Sequence, residues 1–257
     1  PCMKSRCCDF VTGNQQRWTD MLRASNRIVR LTGALYLIVA IIGPFVLIHV
    51  PGKIMVPGDP GATVANIQAH QDLFRAAITL GLVSQICFVA SVLLLYRILR
   101  DTGPVLAIAM AALILLQAPL GLAGLSTQAA TLALAQNTDL LSAFDPAQRD
   151  AIAVLLLRVD QAGTVISQAF WGLWLVPLGT LVWRCGFLPR WLGIWLIING
   201  ATYVALSAIG LWRPDLTRSA FLYATPAMFG ELALALWMTV MGARPGMNKQ
   251  PRVSVLR

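Results

Sequence analysis

The sequence predicts an all-α integral membrane protein: a bundle of six transmembrane helices with an outer helical loop and an outer helical hairpin. Two observations favour this fold. First, 57% of the residues are hydrophobic and only 12% are charged, whereas soluble domains carry about 25% charged residues. Second, apolar segments of membrane-spanning length alternate with short polar segments. A soluble fold of this size could not bury so much apolar surface, so lipid must solvate much of it.

The six apolar segments contain roughly 20 residues each, which at a rise of about 1.5 Å per residue matches a hydrocarbon core of about 30 Å. They are residues 31–50, 78–99, 104–126, 163–183, 191–212 and 221–242. The sequence therefore predicts three regions, which are a disordered basic extension (1–30), a membrane domain (31–242) and a basic tail (243–257). Because the first apolar segment is too long for a signal peptide, it is predicted to remain as a span.

Two polar interruptions carry local signals for helices. In residues 56–75, Asp59 can cap a helix and Pro60 suits its first position, so a short helix is predicted to about residue 72. The third span continues with helical periodicity to about residue 136, and Asp145-Pro146 repeats the same start signal. Residues 125–157 are therefore predicted to form a helical hairpin outside the membrane, beside the loop.

The basic residues predict the orientation. With six spans, 14 of the 20 Lys and Arg residues fall on the side that holds both termini, and loops rich in these residues stay cytoplasmic. We therefore expect a bacterial cytoplasmic (inner) membrane location with both termini cytoplasmic. The net charge of +9 predicts anionic lipids at the cytoplasmic face as partners. Nucleic acid is not expected, because the basic residues flank the spans and form no patch with interleaved aromatic residues.

Few residue patterns support enzymatic chemistry. Cys2, Cys7 and Cys8 do not have zinc-ligand spacing, and the chain contains just two His residues and no nucleophile motif. No metal, cofactor or catalytic residue is predicted. No disulfide is expected either, because none of the five cysteines lies in a predicted outer loop.

Glu231 is the strongest candidate for a functional residue within a span. It is the only Glu in the chain and lies about ten residues into the last apolar segment, where ionisable groups are costly and often functional. Its carboxyl group could bind a proton or a cation. The alternative is a protonated group that hydrogen-bonds to a neighbouring helix and locks the packing.

A polar stripe on the fourth span predicts a pocket. Its members recur at spacings of three and four residues, which places them on one helix side; they are Asp160, Gln161, Thr164, Ser167, Gln168 and Trp171. Polar residues of other spans could face the same interior, namely Gln85, Ser91, Gln117, Asn199, Thr202 and Ser207. The predicted pocket residues are Asp59, Asn66, Arg75, Asp160, Gln161, Gln168 and Glu231. The alternative is that these polar groups form isolated hydrogen bonds between helices, worth about 0.6 kcal/mol each.

Aromatic residues near the predicted span ends are interpreted as interfacial anchors. They are Tyr36, Tyr96, Trp183, Trp191, Trp212 and Trp237.

Several short motifs together resemble a family of bacterial multi-pass membrane proteins, domain of unknown function 4386. The motifs are Arg30-x-x-Gly33-x-x-Tyr36-Leu37, Pro57-Gly58-Asp59, Thr63, Asn66-Ile67, Phe74-Arg75, Leu95-Tyr96, Leu188-Pro189-Arg190-x-x-Gly193, Gly200-x-x-Tyr203, Gly230-Glu231, Leu236-Trp237 and Gly242. The resemblance covers residues 25–242, whereas the cysteine-containing extension has no counterpart in it. It implies a membrane location and a bundle of several helices, and it implies no activity.

The sequence thus leads to three hypotheses for the function. In the first, the protein is not an enzyme and binds or moves a small solute, ion or lipid through an outward-facing polar pocket. In the second, it is a structural or regulatory membrane subunit that contacts a protein partner through the loop and hairpin. The third, a membrane-embedded enzyme, has the least support.

Overall fold

The computed structural model describes residues 26–136 and 142–243, and within these ranges it contains seven helices and no strand. The helices are α1 (Asn26–Ile54), α2 (Pro60–Ala69), α3 (Gln71–Leu99), α4 (Pro104–Gln136), α5 (Pro146–Cys185), α6 (Arg190–Trp212) and α7 (Thr217–Val240). All except α2 are long and apolar enough to cross a membrane. The predicted six-span, all-α fold is confirmed. Residues 26–30 belong to α1, and the remainder of the predicted extension, with its three cysteines, lies outside the described residues.

The bundle has two distinct ends. At the terminal end, the start of α1 meets the end of α7, where the Ala243 amide donates to Asn26 Oδ1 at 2.9 Å. At the hairpin end lie α2, the end of α4 and the start of α5. The two ends of the membrane domain therefore share one side, as an even number of spans requires.

The local start signals at the hairpin end form the predicted caps. The Asp59 side chain accepts a hydrogen bond from the Ala62 amide, and Pro60 begins α2. Asp145 begins α5 with a capping box in which its side chain accepts from the Gln148 amide, and the Gln148 side chain accepts from the Asp145 amide. Each cap satisfies amides that the first helical turn leaves without partners.

The loop helix α2 packs onto the α4–α5 hairpin. Apolar side chains from α1 to α5 form one cluster there, consisting of Val50, Ile54, Val64, Ile67, Phe74, Ala77, Leu132, Ala135, Ala153 and Leu157. Polar contacts hold the same surfaces, because Gln68 Nε2 donates to the Ala135 carbonyl at 2.8 Å. The predicted helical hairpin with the loop beside it is thus present, and the loop is docked against it.

Helix α5 is the centre of the bundle. Among the 18 most apolar consecutive residues of α5, half are buried inside the protein. In the other five spans the corresponding share is 17–39%. Glycines let α6 approach it closely, since a Cβ added at Gly172 would lie 2.4 Å from the Gly200 carbonyl oxygen. The main core surrounds Trp174 and Leu178 of α5, both fully buried. The polar groups on the buried side of α5 therefore lie among several neighbouring helices.

Helix α1 is irregular on the hairpin side of its midpoint. Pro44 has no amide hydrogen and precedes a π-helical turn, Phe45–His49, before the helix ends with an α-helical turn. Such turns are rare and frequently lie at functional sites. This turn forms part of the wall of the cavity described below.

Candidate functional site

A polar cavity of about 140 Å³ lies between α1, α3, α4 and α5. Its apolar wall includes Ile42, Val46 and Leu47 of α1. Its polar lining consists of Ser84, Gln85, Gln117, Gln128, Asp160, Thr164 and Ser167, together with Trp171. We call this space the polar cavity.

Glycines on α4 make the room that the polar side chains occupy. A Cβ at Gly124 would lie 2.4 Å from Asp160 Oδ1, and one at Gly121 would lie 2.8 Å from Gln85 Oε1. Contacts this short do not occur in stable packing, so a larger residue at either position would displace the polar group. The glycines of α4 thus face the polar stripe of α5.

The polar groups of the cavity are only partly satisfied by the protein. Asp160 Oδ2 accepts from Gln128 Nε2 at 2.7 Å, and no ion pair in the described part of the chain includes Asp160. Gln117 is 2% exposed, yet neither its Oε1 nor Gln85 Nε2 has a hydrogen-bond partner among the described residues. Buried polar atoms are normally paired, so these two atoms leave one donor and one acceptor of the lining available to a further molecule.

A smaller void of about 40 Å³ adjoins the polar cavity on the hairpin side. The two spaces share Val46, Gln128 and Asp160. Gln161 and Met55 line the smaller one, and Gln161 Nε2 donates to Met55 Sδ at 2.8 Å. Asp160 therefore lies where the two spaces meet.

A second polar cluster surrounds Glu231 and is separate from the cavity lining. Tyr36 Oη donates to Glu231 Oε2, and Asn199 Nδ2 donates to Glu231 Oε1 at 3.0 Å. The Tyr203 side chain also faces this carboxyl group. We call these four residues, from α1, α6 and α7, the Glu231 cluster.

Aromatic rings enclose the Glu231 cluster. The Tyr36 ring stacks on Phe88 with a centroid distance of 6.1 Å and meets Trp174 edge-on at 6.0 Å. Tyr203 meets Trp171 edge-on at 6.0 Å, and Trp171 also lines the polar cavity. The Trp171–Tyr203 contact thus connects the cavity to the Glu231 cluster.

The seven predicted pocket residues lie in different places. Asp160 and Gln161 line the two adjoining spaces, whereas Gln168 belongs to neither lining. Glu231 lies in the Glu231 cluster, which contacts the cavity lining through the rings of Tyr203 and Trp171.

The three loop residues of that prediction make local contacts at the hairpin end. Asp59 caps α2, and Asn66 Nδ2 donates to the Ile54 carbonyl at 3.2 Å. Arg75 is exposed and lies 3.8 Å from Asp72, and the described residues include no pair between it and Asp59 or Asp160. These contacts attach the loop to the ends of the helices.

Tyr36 differs from its interpretation as an interfacial anchor. Its side chain is 3% exposed and hydrogen-bonds to Glu231 in the bundle interior. Tyr36, Tyr203 and Glu231 come from three of the motifs that carry the family resemblance. Their spacing along the chain gave no sign that they meet, although their presence in those motifs did single them out.

Gln128 was absent from the predicted site, although the helix of the third span was predicted to continue to about residue 136. In the structure α4 continues to Gln136. The continuation places Gln128 opposite Asp160.

Two further observations concern metals and thiols. Among the described residues, no three His, Cys, Asp or Glu side chains lie close enough together to hold a metal ion. Cys87 and Cys185 are free thiols.

Comparison with known proteins gives one match. A family model described as Domain of unknown function (DUF4386) matches residues 31–242, which is most of the chain. No curated protein and no solved structure matches.

Proposed function

This chain belongs to the family described as Domain of unknown function (DUF4386), and from that premise we propose that it binds a small polar solute in the polar cavity within a membrane. The observation that supports this proposal is the unpartnered pair of buried amide atoms, Gln85 Nε2 and Gln117 Oε1, in the cavity lining. A donor and an acceptor are both available there, beside the Asp160 carboxyl group.

The lining favours a ligand with N–H donors and a positive charge. Asp160 has an amide partner but no cation among the described residues, so an ammonium group would both neutralise it and donate to it. A second polar group of the ligand would accept from Gln85 Nε2. A cavity of about 150 Å³ holds benzene, so the 140 Å³ cavity suits a solute of about six non-hydrogen atoms or fewer.

Thermal unfolding of the protein in lipid nanodiscs tests this proposal. Ethanolammonium and its neutral isostere ethylene glycol form a matched pair of probes, since they differ in charge and hardly in size. We expect ethanolammonium to raise the unfolding temperature and ethylene glycol to have little effect. A ligand at 100 times its Kd stabilises by about 2.7 kcal/mol.

The variant Asp160→Asn should abolish the response to ethanolammonium. Asp101→Asn is the matched control, because Asp101 has a side chain 90% exposed at the other end of the bundle. If neither probe stabilises the wild-type protein, or if Asp160→Asn responds as strongly as the wild type, the solute does not bind at Asp160.

We also infer that the membrane is the bacterial cytoplasmic membrane and that both termini are cytoplasmic. The support is the 14 of 20 Lys and Arg residues on the terminal side, eight of which lie outside the described residues. Anionic lipids would contact these residues. In this orientation the hairpin end, with Asp160 beneath it, faces outward, so the solute would reach the cavity from outside.

Single-cysteine labelling tests the orientation. In a cysteine-free background, an impermeant maleimide should label Gly52→Cys at the hairpin end in intact cells, but should label Asp101→Cys only after lysis. The reverse result would invert the topology.

A further inference from the structure

The Glu231 carboxyl group lies in the middle part of a membrane-spanning helix and is bound by neutral side chains. Its hydrogen-bond partners are Tyr36 from α1 and Asn199 from α6, and Tyr203 of α6 faces it. An ionised carboxylate removed from water is costly unless a cation or several hydrogen bonds offset its charge. The identity of the groups that surround it therefore determines what this carboxyl can do.

The titratable groups that face Glu231 are two phenols. Tyr36 comes from α1 and Tyr203 from α6, and α7 itself contributes no other titratable group to the cluster. From α3 and α5, the rings of Phe88 and Trp174 pack against Tyr36. None of the ion pairs in the described residues includes Glu231. A bound proton is thus the simplest way to neutralise the carboxyl group.

The hydrogen-bond partners can serve both protonation states. When Glu231 is ionised, the Tyr36 hydroxyl and Asn199 Nδ2 donate to its two oxygens. When it is protonated, its O–H can donate to the Tyr36 oxygen, because a phenol both donates and accepts. It can also donate to Asn199 Oδ1 after the amide turns over.

Asn199 supplies a second observation that points to proton exchange. Its side chain is fully buried, and its Oδ1 has no partner among the described residues. A structural hydrogen bond to a carboxylate alone would leave this acceptor permanently unpaired, at a cost of about 1–3 kcal/mol. An acceptor held beside a carboxyl group has a use when that group carries a proton.

We propose that Glu231 is an exchangeable proton-binding site and that its proton affinity is linked to occupancy of the polar cavity. The link is the Trp171–Tyr203 contact, since Trp171 lines the cavity and Tyr203 faces the Glu231 carboxyl group. A solute that moves Trp171 changes the position of the Tyr203 hydroxyl. This link rests on the proposed function, whereas the proton site itself does not.

Infrared spectroscopy of the protein in nanodiscs tests the proton site. We expect a C=O stretching band of a protonated carboxyl group that disappears as the pH is raised, because an ionised carboxylate does not have this band. Glu231→Gln should lack the band, and Asp160→Asn should retain it. Tyr36→Phe should shift its frequency, because the carboxyl group then loses one hydrogen bond.

Two results would overturn the proton site. One is a spectrum in which no carboxyl band that depends on Glu231 changes with pH, which would make Glu231 a fixed packing contact. The other is loss of the titrating band in Asp160→Asn with its retention in Glu231→Gln. If Glu231→Gln fails to fold, the spectrum of Tyr36→Phe provides the test. An unshifted C=O band in that variant would mean that the proton is not on Glu231.

The link is tested by repeating the pH titration with saturating ethanolammonium. Coupling between sites typically changes affinity by about 5-fold or more, and we expect a change of this size in the proton affinity of Glu231. Trp171→Leu should remove the change, whereas Trp183→Leu, an exposed residue of the same helix, should retain it. If ethanolammonium binds and the titration does not move, the link is wrong. If ethanolammonium does not bind and Glu231 still titrates, the proposed ligand fails while the proton site stands.

Discussion

Filling the polar cavity from Gly163 should abolish solute binding without destabilising the fold. Gly163 lines the cavity on α5, and a Cβ added there would have no atom within 4 Å. The variant Gly163→Leu therefore introduces a side chain into open space. Gly is about 0.8–1 kcal/mol less favourable than Ala in a helix interior, and Leu ranks just below Ala. The free energy of unfolding should therefore stay the same or rise by less than about 1 kcal/mol.

The size of the effect follows from the volume of the cavity. About 150 Å³ accommodates the six carbons of benzene, so the four carbons of a Leu side chain take up roughly two thirds of the 140 Å³. The space left would hold one or two water molecules and not an ethanolammonium ion in contact with Asp160. We expect binding to weaken at least tenfold, which corresponds to about 1.4 kcal/mol.

Isothermal titration calorimetry of the protein in nanodiscs measures this loss directly. Gly52→Leu is the matched control, because a Cβ at Gly52 is also in open space but this residue lies outside the cavity lining. Gly43→Leu, on the opposite wall with equally open space, should behave like Gly163→Leu. Wild-type affinity in both folded cavity variants would refute the reasoning, because it would place the solute elsewhere.

Three further predictions concern the fold around these sites. Gly172→Ala should lower the free energy of unfolding by about 1–3 kcal/mol, because its Cβ would lie 2.4 Å from a backbone oxygen of α6. The control variant Gly163→Ala should not lower it. Equal effects of the two variants in an unfolding titration would contradict the packing of α5 against α6. Asp145→Ala should cost about 1 kcal/mol by removing the capping box, and an unchanged unfolding midpoint would mean that the cap is not formed. Arg75→Gln should change stability by less than about 1 kcal/mol, because its pair with Asp72 is exposed and 3.8 Å long; a loss above 2 kcal/mol would indicate that Arg75 pins the loop.

The elements that the sequence predicted well depend on local chemistry. Asp59-Pro60 and Asp145-Pro146 each contain a complete helix-start signal, because the cap and the amide it satisfies lie within three residues. The spans follow in the same way from runs of apolar residues and the thickness of a bilayer. Neither requires knowledge of which helices are neighbours.

The sites depend on which helix sides meet, and this information is not local. Tyr36 and Glu231 are separated by 195 positions in the chain, and a Tyr near a span end fits an interfacial anchor equally well. Four residues of the polar stripe of α5 line the cavity, namely Asp160, Thr164, Ser167 and Trp171, whereas Gln168 does not. The stripe could not indicate that Asn199 and Ser207 of α6 face away from that cavity, towards Glu231 and the Val165 carbonyl.

Helix α1 is the element that the two sites have in common. It contributes Tyr36 to the Glu231 cluster and Val46 and Leu47 to the cavity wall, and the latter two lie within its π-helical turn. Only 17% of its 18 most apolar consecutive residues are buried, which makes it the least buried of the six spans. Fewer packing contacts therefore oppose a displacement of α1 than oppose a displacement of α5. A solute that presses on the π-helical turn therefore acts on the least constrained span, and that span carries the hydroxyl group bound to Glu231. Under the proposed function, this shared helix would be a second connection between the cavity and the carboxyl group, in addition to the proposed link through Trp171 and Tyr203.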